Sequence, residues 1–351
     1  MKKLDTLKIP SAREEIRLFL VGRDEGLRLP FLIEHYRLAG VDRFFVVDNG
    51  STDGMTDFLL SQKDVHVFYT EDSYKENKAG VSWVNQLLDQ YGVGHWCLVV
   101  DADEILVYPY SDILNIKELC IFLDRVEAVG LFCLMIDMYP RGALKNADYA
   151  MGQPFLDIAD HFDAGPYNVF PARNFPHLQI KGGMRRRVFW ANGRNADGPA
   201  LNKIPLVKWR RGMAFAGSTH TLRPALALAP ITGVLQHFKY FSDFAVTAVR
   251  EYARNDRPHI DEYRLYAEML EREPAMSFMC DVSVRYRDPV QLVELGLLKG
   301  SWELKKFVEE RFSACETEGS SLDATSGAMA EANRYKVPLS KALQLLPIYG
   351  F

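Results

Sequence analysis

Two apolar periods take turns along the first hundred positions. Short apolar runs fall at Ile16–Gly22, Arg43–Asp48, Val65–Thr70 and His95–Val100. Between them, Leu27–Gly40, the stretch opened by Ser51, and Ala79–Gly92 carry apolar residues at helical spacing. Unbroken apolar runs are the mark of strands covered on both faces, and the 3.6-residue period is the mark of a helix with one face packed. Gly40 stands where a helix would close, and Ser51 where one would be capped. The order β-α-β-α-β-α-β predicts a parallel sheet with right-handed crossovers. Ligands of such sheets bind beyond the carboxyl ends of the strands. Three of those ends carry acids: Arg23-Asp24-Glu25, Asp48, and Asp101, Asp103 and Glu104. They are expected to meet at one crevice.

After Leu106 the rhythm breaks. Leu131–Gly142 reads as one more strand, and 146–183 as a long irregular segment rich in Gly, Pro, Asn and Asp. Loops of that length in a compact domain are functional or mobile more often than not. From Met184 to Arg211 eight basic residues face the single acid Asp197. Strand-like pieces follow at Met213–Leu222 and Thr232–Tyr240. From Ser242 the chain reads mostly helical, and Ser313–Asn333 reads as a polar linker. The expected division is 1–240 as the ligand-binding domain and 241–351 as a helical extension packed on it.

Composition narrows the field. The chain has 351 residues, 48% hydrophobic and 25% charged, with net charge −4. That balance argues against a nucleic-acid-binding polycation. Five scattered cysteines make neither a disulfide framework nor a CxxC metal site. No run is long and apolar enough to span a membrane, and no signal peptide is apparent at the start. A cytoplasmic protein is expected, with contact to a membrane surface left open.

The acids after His95–Val100 carry the chemistry. An Asp-x-Asp at a strand end can hold Mg²⁺ or Mn²⁺, hard cations that bind through one or two carboxylates plus phosphate oxygens. It can instead supply a nucleophile, Asp101, with Asp103 as its acid/base partner, as in haloacid-dehalogenase-type phosphatases. It can also be a solvated strand cap. Such phosphatases carry the motif on their first core strand and need a later acidic pair, and neither condition is met here.

The stretches VGRDEG, HYRLAGVDRFFVVDNGSTDGM, NKAGVSWVNQLL and LVVDADEIL, with KGGMRRRVFW, NKIPLVKW, STHTL and LQHFKY, resemble family 2-like bacterial glycosyltransferases over roughly Ile16 to Asp288. The resemblance implies an α/β chain of GT-A-like, Rossmann-like type: a mostly parallel sheet flanked by helices, with a helical C-terminal region. It implies a hexosyltransferase using a nucleotide-sugar donor, a UDP-sugar by preference, and a saccharide or lipid-linked saccharide acceptor, in surface polysaccharide synthesis. It places Arg23, Asp24 and Asp48 around the nucleotide base and Lys78 near the nucleotide. Asp101 falls on the ribose or the metal, and Asp103 on the metal. Asp48 and Asp53 could equally serve as turn caps, and Lys78 as a solvated lysine.

Such enzymes often complete the metal site with a distant histidine, and His237 and His220 are the two candidates. Arg185 and Arg187 follow Gly182-Gly183; glycines let the backbone approach a diphosphate, and arginine matches phosphate bidentately. As a strand, this segment would put both arginines on one face, and Lys239 is a further candidate for phosphate charge. An inverting transferase also needs a carboxylate to accept the acceptor's proton; Asp137 and Asp163 are the candidates. The rival readings are a hydrolase using Asp101 and a nucleotide-sugar-binding module without chemistry.

Overall fold

The computed structural model describes residues 1–12 and 14–317. Its strands are β1 (Lys2–Lys3), β2 (Arg17–Gly22), β3 (Arg43–Asp48), β4 (Val65–Tyr69), β5 (Trp96–Val99), β6 (Glu104–Val107), β7 (Gly130–Asp137), β8 (His161–Asp163), β9 (Tyr167–Pro171), β10 (Leu178–Gly182), β11 (Asn202–Lys208), β12 (Ala214–Phe215), β13 (Leu222–Arg223), β14 (Gly233–His237) and β15 (Ser283–Arg285). Its helices are α1 (Leu29–Leu38), α2 (Met55–Leu60), α3 (Val81–Leu87), α4 (Ile116–Arg125), α5 (Gly183–Phe189), α6 (Phe244–Arg254), α7 (Ile260–Arg272), α8 (Pro289–Glu294) and α9 (Trp302–Thr317).

Nine strands form the central sheet in the order β1-β4-β3-β2-β5-β11-β7-β14-β6. β2, β3, β4, β5, β7 and β14 run one way; β1, β6 and β11 run against them. The expected α/β class with a mostly parallel sheet flanked by helices is therefore what the chain forms. Side-chain alternation along the strands explains why both faces need cover. Leu18, Leu20, Phe44, Val46, Val65, Val67 and Leu98 pack with α1, α2, α4 and α9 on one face. Phe19, Phe45, Val47, Cys97 and Val99 pack with α3 on the other. A third cluster, with Phe189, Tyr240, Phe244 and Tyr266, joins α5 to α6 and α7.

Several elements depart from the sequence reading. The long segment contains a hairpin, β9–β10. The basic stretch contributes β11, which lies inside the sheet between β5 and β7. Arg185–Arg187 lie on the helix α5, not on a strand. Gly182 and Gly183 turn the corner into that helix with φ of +147° and +62°. A Cβ on Gly182 would sit 2.2 Å from the carbonyl oxygen of Pro166, so glycine is required there by close approach. The Ser313–Asn333 linker begins inside α9, and beyond Thr317 it lies outside the described residues.

Candidate functional site

The acids after β5 mark a reversal of the chain between two sheet strands. β5 ends at Val99, the backbone turns through Asp101–Asp103, and β6 begins at Glu104 and pairs with β14 at the far edge of the sheet. Glu104 is 0% exposed, and so is not the solvated acid its neighbours suggest. Its carboxylate accepts the Asp101 backbone N–H at 2.9 Å and takes the Lys203 ammonium on both oxygens at 2.7 Å. Lys203, 1% exposed on β11, also donates to Asp101 Oδ2 at 3.0 Å. Asp101 keeps 57% of its side chain open to the crevice. Partial loss of water in the crevice works against the Asp101 carboxylate, but the Lys203 charge outweighs it and holds Asp101 below its ordinary range. Glu104 is pushed up to about 7 by burial and by Asp101, with Lys203 pulling the other way. Lys203 itself is raised by the two acids despite its burial. Nothing in the local sequence marks Lys203, because its partners lie about a hundred residues earlier.

His237 ends β14 with Asp137 level with it on parallel β7 and Glu104 opposite it on antiparallel β6. Its Nδ1–H donates to Asp137 Oδ1 at 2.8 Å, and its Nε2 points at Asp103 Oδ2 at 3.4 Å. Asp137 is gripped from behind by Arg185, Nε to Oδ2 at 2.9 Å and Nη2 to Oδ1 at 2.7 Å. Burial opposes the Asp137 charge, yet Arg185 and His237 together hold its carboxyl well below the usual range. A carboxylate so held accepts from Nδ1 and fixes which ring nitrogen faces the cavity.

Asp103 and His237 line a cavity of about 180 Å³. Its floor is the strand ends, with Gly22, Arg23, Asn49 and Asp101; its roof is α6 and α7, with Thr247, Glu251 and Tyr263. All three strand ends expected to converge do so. The side chains that reach the cavity differ in part from those singled out. Arg23, Asp101, Asp103 and His237 line it.

Asp48 does not line it: its oxygens accept the Ser51 N–H at 2.8 Å and the Thr56 hydroxyl, which makes it a turn cap. Asp53 caps likewise, through Gly26 and Met55. Asp24 accepts from Thr52 N–H and pairs with Arg254 at 3.3 Å, tying the first loop to α6. Lys78 is exposed. Arg187 donates twice to Asp163, at 2.8 and 2.9 Å, and to the Phe278 carbonyl. The two arginines expected on a diphosphate are thus bonded to the two carboxylates expected to act as bases, and none of the four lines the cavity.

His220 lies outside it too, its Nδ1 2.7 Å from the Asn202 carbonyl. Burial, with Lys203 nearby, lowers His220 to about 4, so its ring is neutral at pH 7. Because His237 lines the cavity and His220 does not, His237→Ala should abolish any metal-dependent ligand stabilisation while His220→Ala leaves it in place. Paired melting curves of the two variants check this, and the reverse outcome would assign the ligand role to His220.

Among the described residues no group of three or more His, Cys, Asp or Glu is arranged as a metal cage. A two-donor site still fits the chemistry. Mg²⁺ and Mn²⁺ bind carboxylates, waters and substrate phosphate oxygens, and Mn²⁺ also accepts an imidazole, so Asp103 with His237 would supply the protein share of such a site. Asp101, bonded to Lys203, is less free to join them.

No protein-family model and no curated protein matches the sequence. Among solved structures, the 4-diphosphocytidyl-2C-methyl-D-erythritol synthase of Anaerococcus prevotii DSM 20548 is similar at 12% identity and TM-score 0.23, over 37% of this chain and 59% of that one. The chain thus spans about three fifths of the synthase's length. A protein of Bacillus anthracis described as a glucose-1-phosphate thymidylyltransferase, solved with sucrose, is similar at 8% identity and TM-score 0.29, over 74% of this chain and 83% of that one. Likeness at this level carries no functional argument. Among the described residues no helix is long and apolar enough to cross a membrane.

Proposed function

We propose that the cavity binds a nucleotide-diphosphate sugar, a UDP-sugar by preference, with Mn²⁺ or Mg²⁺, and transfers the sugar to an acceptor hydroxyl. The observation that carries this reading is the facing pair Asp103 and His237, 3.4 Å apart at the carboxyl edge of the sheet, with His237 locked by Asp137 and Arg185. A divalent cation held there supplies positive charge to a leaving nucleoside diphosphate. The chain's own residues do the rest. Arg185 keeps Asp137 ionised, and Asp137 engages His237 Nδ1, so that Nε2 is the ring nitrogen turned toward the cavity. Lys203 draws Asp101 and Glu104 together and fixes the turn that presents Asp103.

The test is a melting-curve series with UDP and Mn²⁺. A ligand that binds only the folded chain raises the melting temperature. UDP with Mn²⁺ should raise it more than either alone, and Asp103→Asn should fold normally but lose the metal-dependent part. An equal UDP shift with and without EDTA would sink the metal bridge, and misfolding of Asp103→Asn would make that acid structural.

A further inference from the structure

Four arginines and one lysine line the cavity, and their partners separate them. Arg28 donates to Asp243 at 2.9 and 3.1 Å. Arg254 donates to Glu251 at 2.8 Å, and Arg257 donates to the same acid at 2.6 Å. Arg23 donates to the Asn49 carbonyl and lies 3.7 Å from Asp256. Lys239 alone among these five has no carboxylate within 4.0 Å among the described residues. Its ammonium donates to the Tyr263 hydroxyl at 3.2 Å. It also lies over the rings of Tyr263, Tyr266 and Phe244 at 4.7, 5.2 and 5.7 Å. Ring faces stabilise a cation without neutralising it. An ammonium has three N–H donors, so two remain after Tyr263. Lys239 follows His237 by two positions, and the intervening Phe238 packs into the core beneath, so both flanking side chains face the cavity.

We propose that Lys239 is the anion-binding residue of this cavity, taking phosphoryl oxygens of a nucleoside diphosphate, and that the rings of α6 and α7 hold it in position. The identity of the ligand rests on the nucleotide-sugar reading; its charge does not. The phosphate grip then belongs to the C-terminal helices and not to Arg185 and Arg187, which are bonded to Asp137 and Asp163. The helical region becomes part of the binding site.

Calorimetric titration with uridine, UDP and inorganic pyrophosphate tests this. Lys239→Gln should raise the dissociation constants of UDP and pyrophosphate by about 10- to 100-fold, the span expected for hydrogen bonds to a charged group, and leave uridine unchanged. In case that variant fails to fold, amine acylation of the unaltered protein gives a second reading. Pyrophosphate should protect Lys239 from the reagent while Lys117 on α4 stays reactive. Loss of uridine and UDP affinity in equal measure, no loss at all, or an unprotected Lys239 would overturn the assignment. If the unaltered protein binds pyrophosphate but not uridine, the anion site stands and the nucleotide-sugar reading falls. If it binds uridine and UDP equally, the anion site falls alone, and if it binds none of the three, both fall.

Discussion

Lys203→Met should destabilise the protein by about 3–5 kcal/mol at pH 8, the cost of leaving a buried carboxylate without its partner. Glu104 would keep only the Asp101 N–H, with the Asp101 carboxylate still beside it. The loss should shrink in acid. Glu104 already sits at about 7 with Lys203 present, above the ordinary glutamate value. A raised group gives its full stability below its unfolded pKa and loses it as pH rises through its folded one. Without the lysine the folded value climbs further, so Lys203→Met should be markedly more stable at pH 5 than at pH 8. Denaturant titrations at the two pH values measure this, and adding Glu104→Gln should restore most of the pH 8 loss. A pH-independent loss, or no recovery in the double variant, would show that Lys203 acts by packing and not by charge.

Arg185→Ala should cost a similar amount by the same logic applied to a different acid. Asp137 would remain buried with His237 as its remaining side-chain partner. Its pH signature lies in a different, more acidic window. Asp137 is lowered in the folded chain, so its ion pair contributes above the unfolded aspartate value, about 3.9, and is lost only as pH falls through the folded one. The gap between unaltered and variant protein should therefore be constant from pH 5 to 8 and narrow only in stronger acid. The variant should also lose part of its Mn²⁺-dependent stabilisation by UDP, because Asp137, no longer held by Arg185, then fixes the His237 ring less firmly. A variant that keeps this response would free His237 from its dependence on Arg185.

The strands whose burial is local were legible. Apolar runs such as Phe44–Val47 and Cys97–Val100 announce themselves, and so do the acids that end them. Helix against strand was harder where charge interrupts the pattern. The run Arg185–Arg187 leaves its own element open in the sequence, but Met184 and Phe189 supply apolar anchors once α7 is there to pack against. The partners of charged residues were least legible of all. Arg185 looks like a phosphate ligand until Asp137, 48 positions earlier, is brought against it. Glu104 looks solvated until β11 delivers Lys203 beneath it. Asp48 offers the same lesson at short range, where Ser51 and Thr56 engage an acid expected to face the ligand.

The pairing of Lys203 with Glu104 spans 99 positions of chain, and this has a consequence for synthesis. A ribosome delivers Asp101, Asp103 and Glu104 long before it delivers the cation that holds them. Through that interval β2 to β5 can assemble as a parallel layer, but β5 has an open edge until β11 arrives, and β6 has no neighbour until β14 does. Pairings this distant along the chain form late, and unpaired edges favour association between chains while they last. Three clustered carboxylates beside that edge repel any like-charged copy of themselves, so the same acids that need a cation in the finished fold guard the unfinished one against its neighbours.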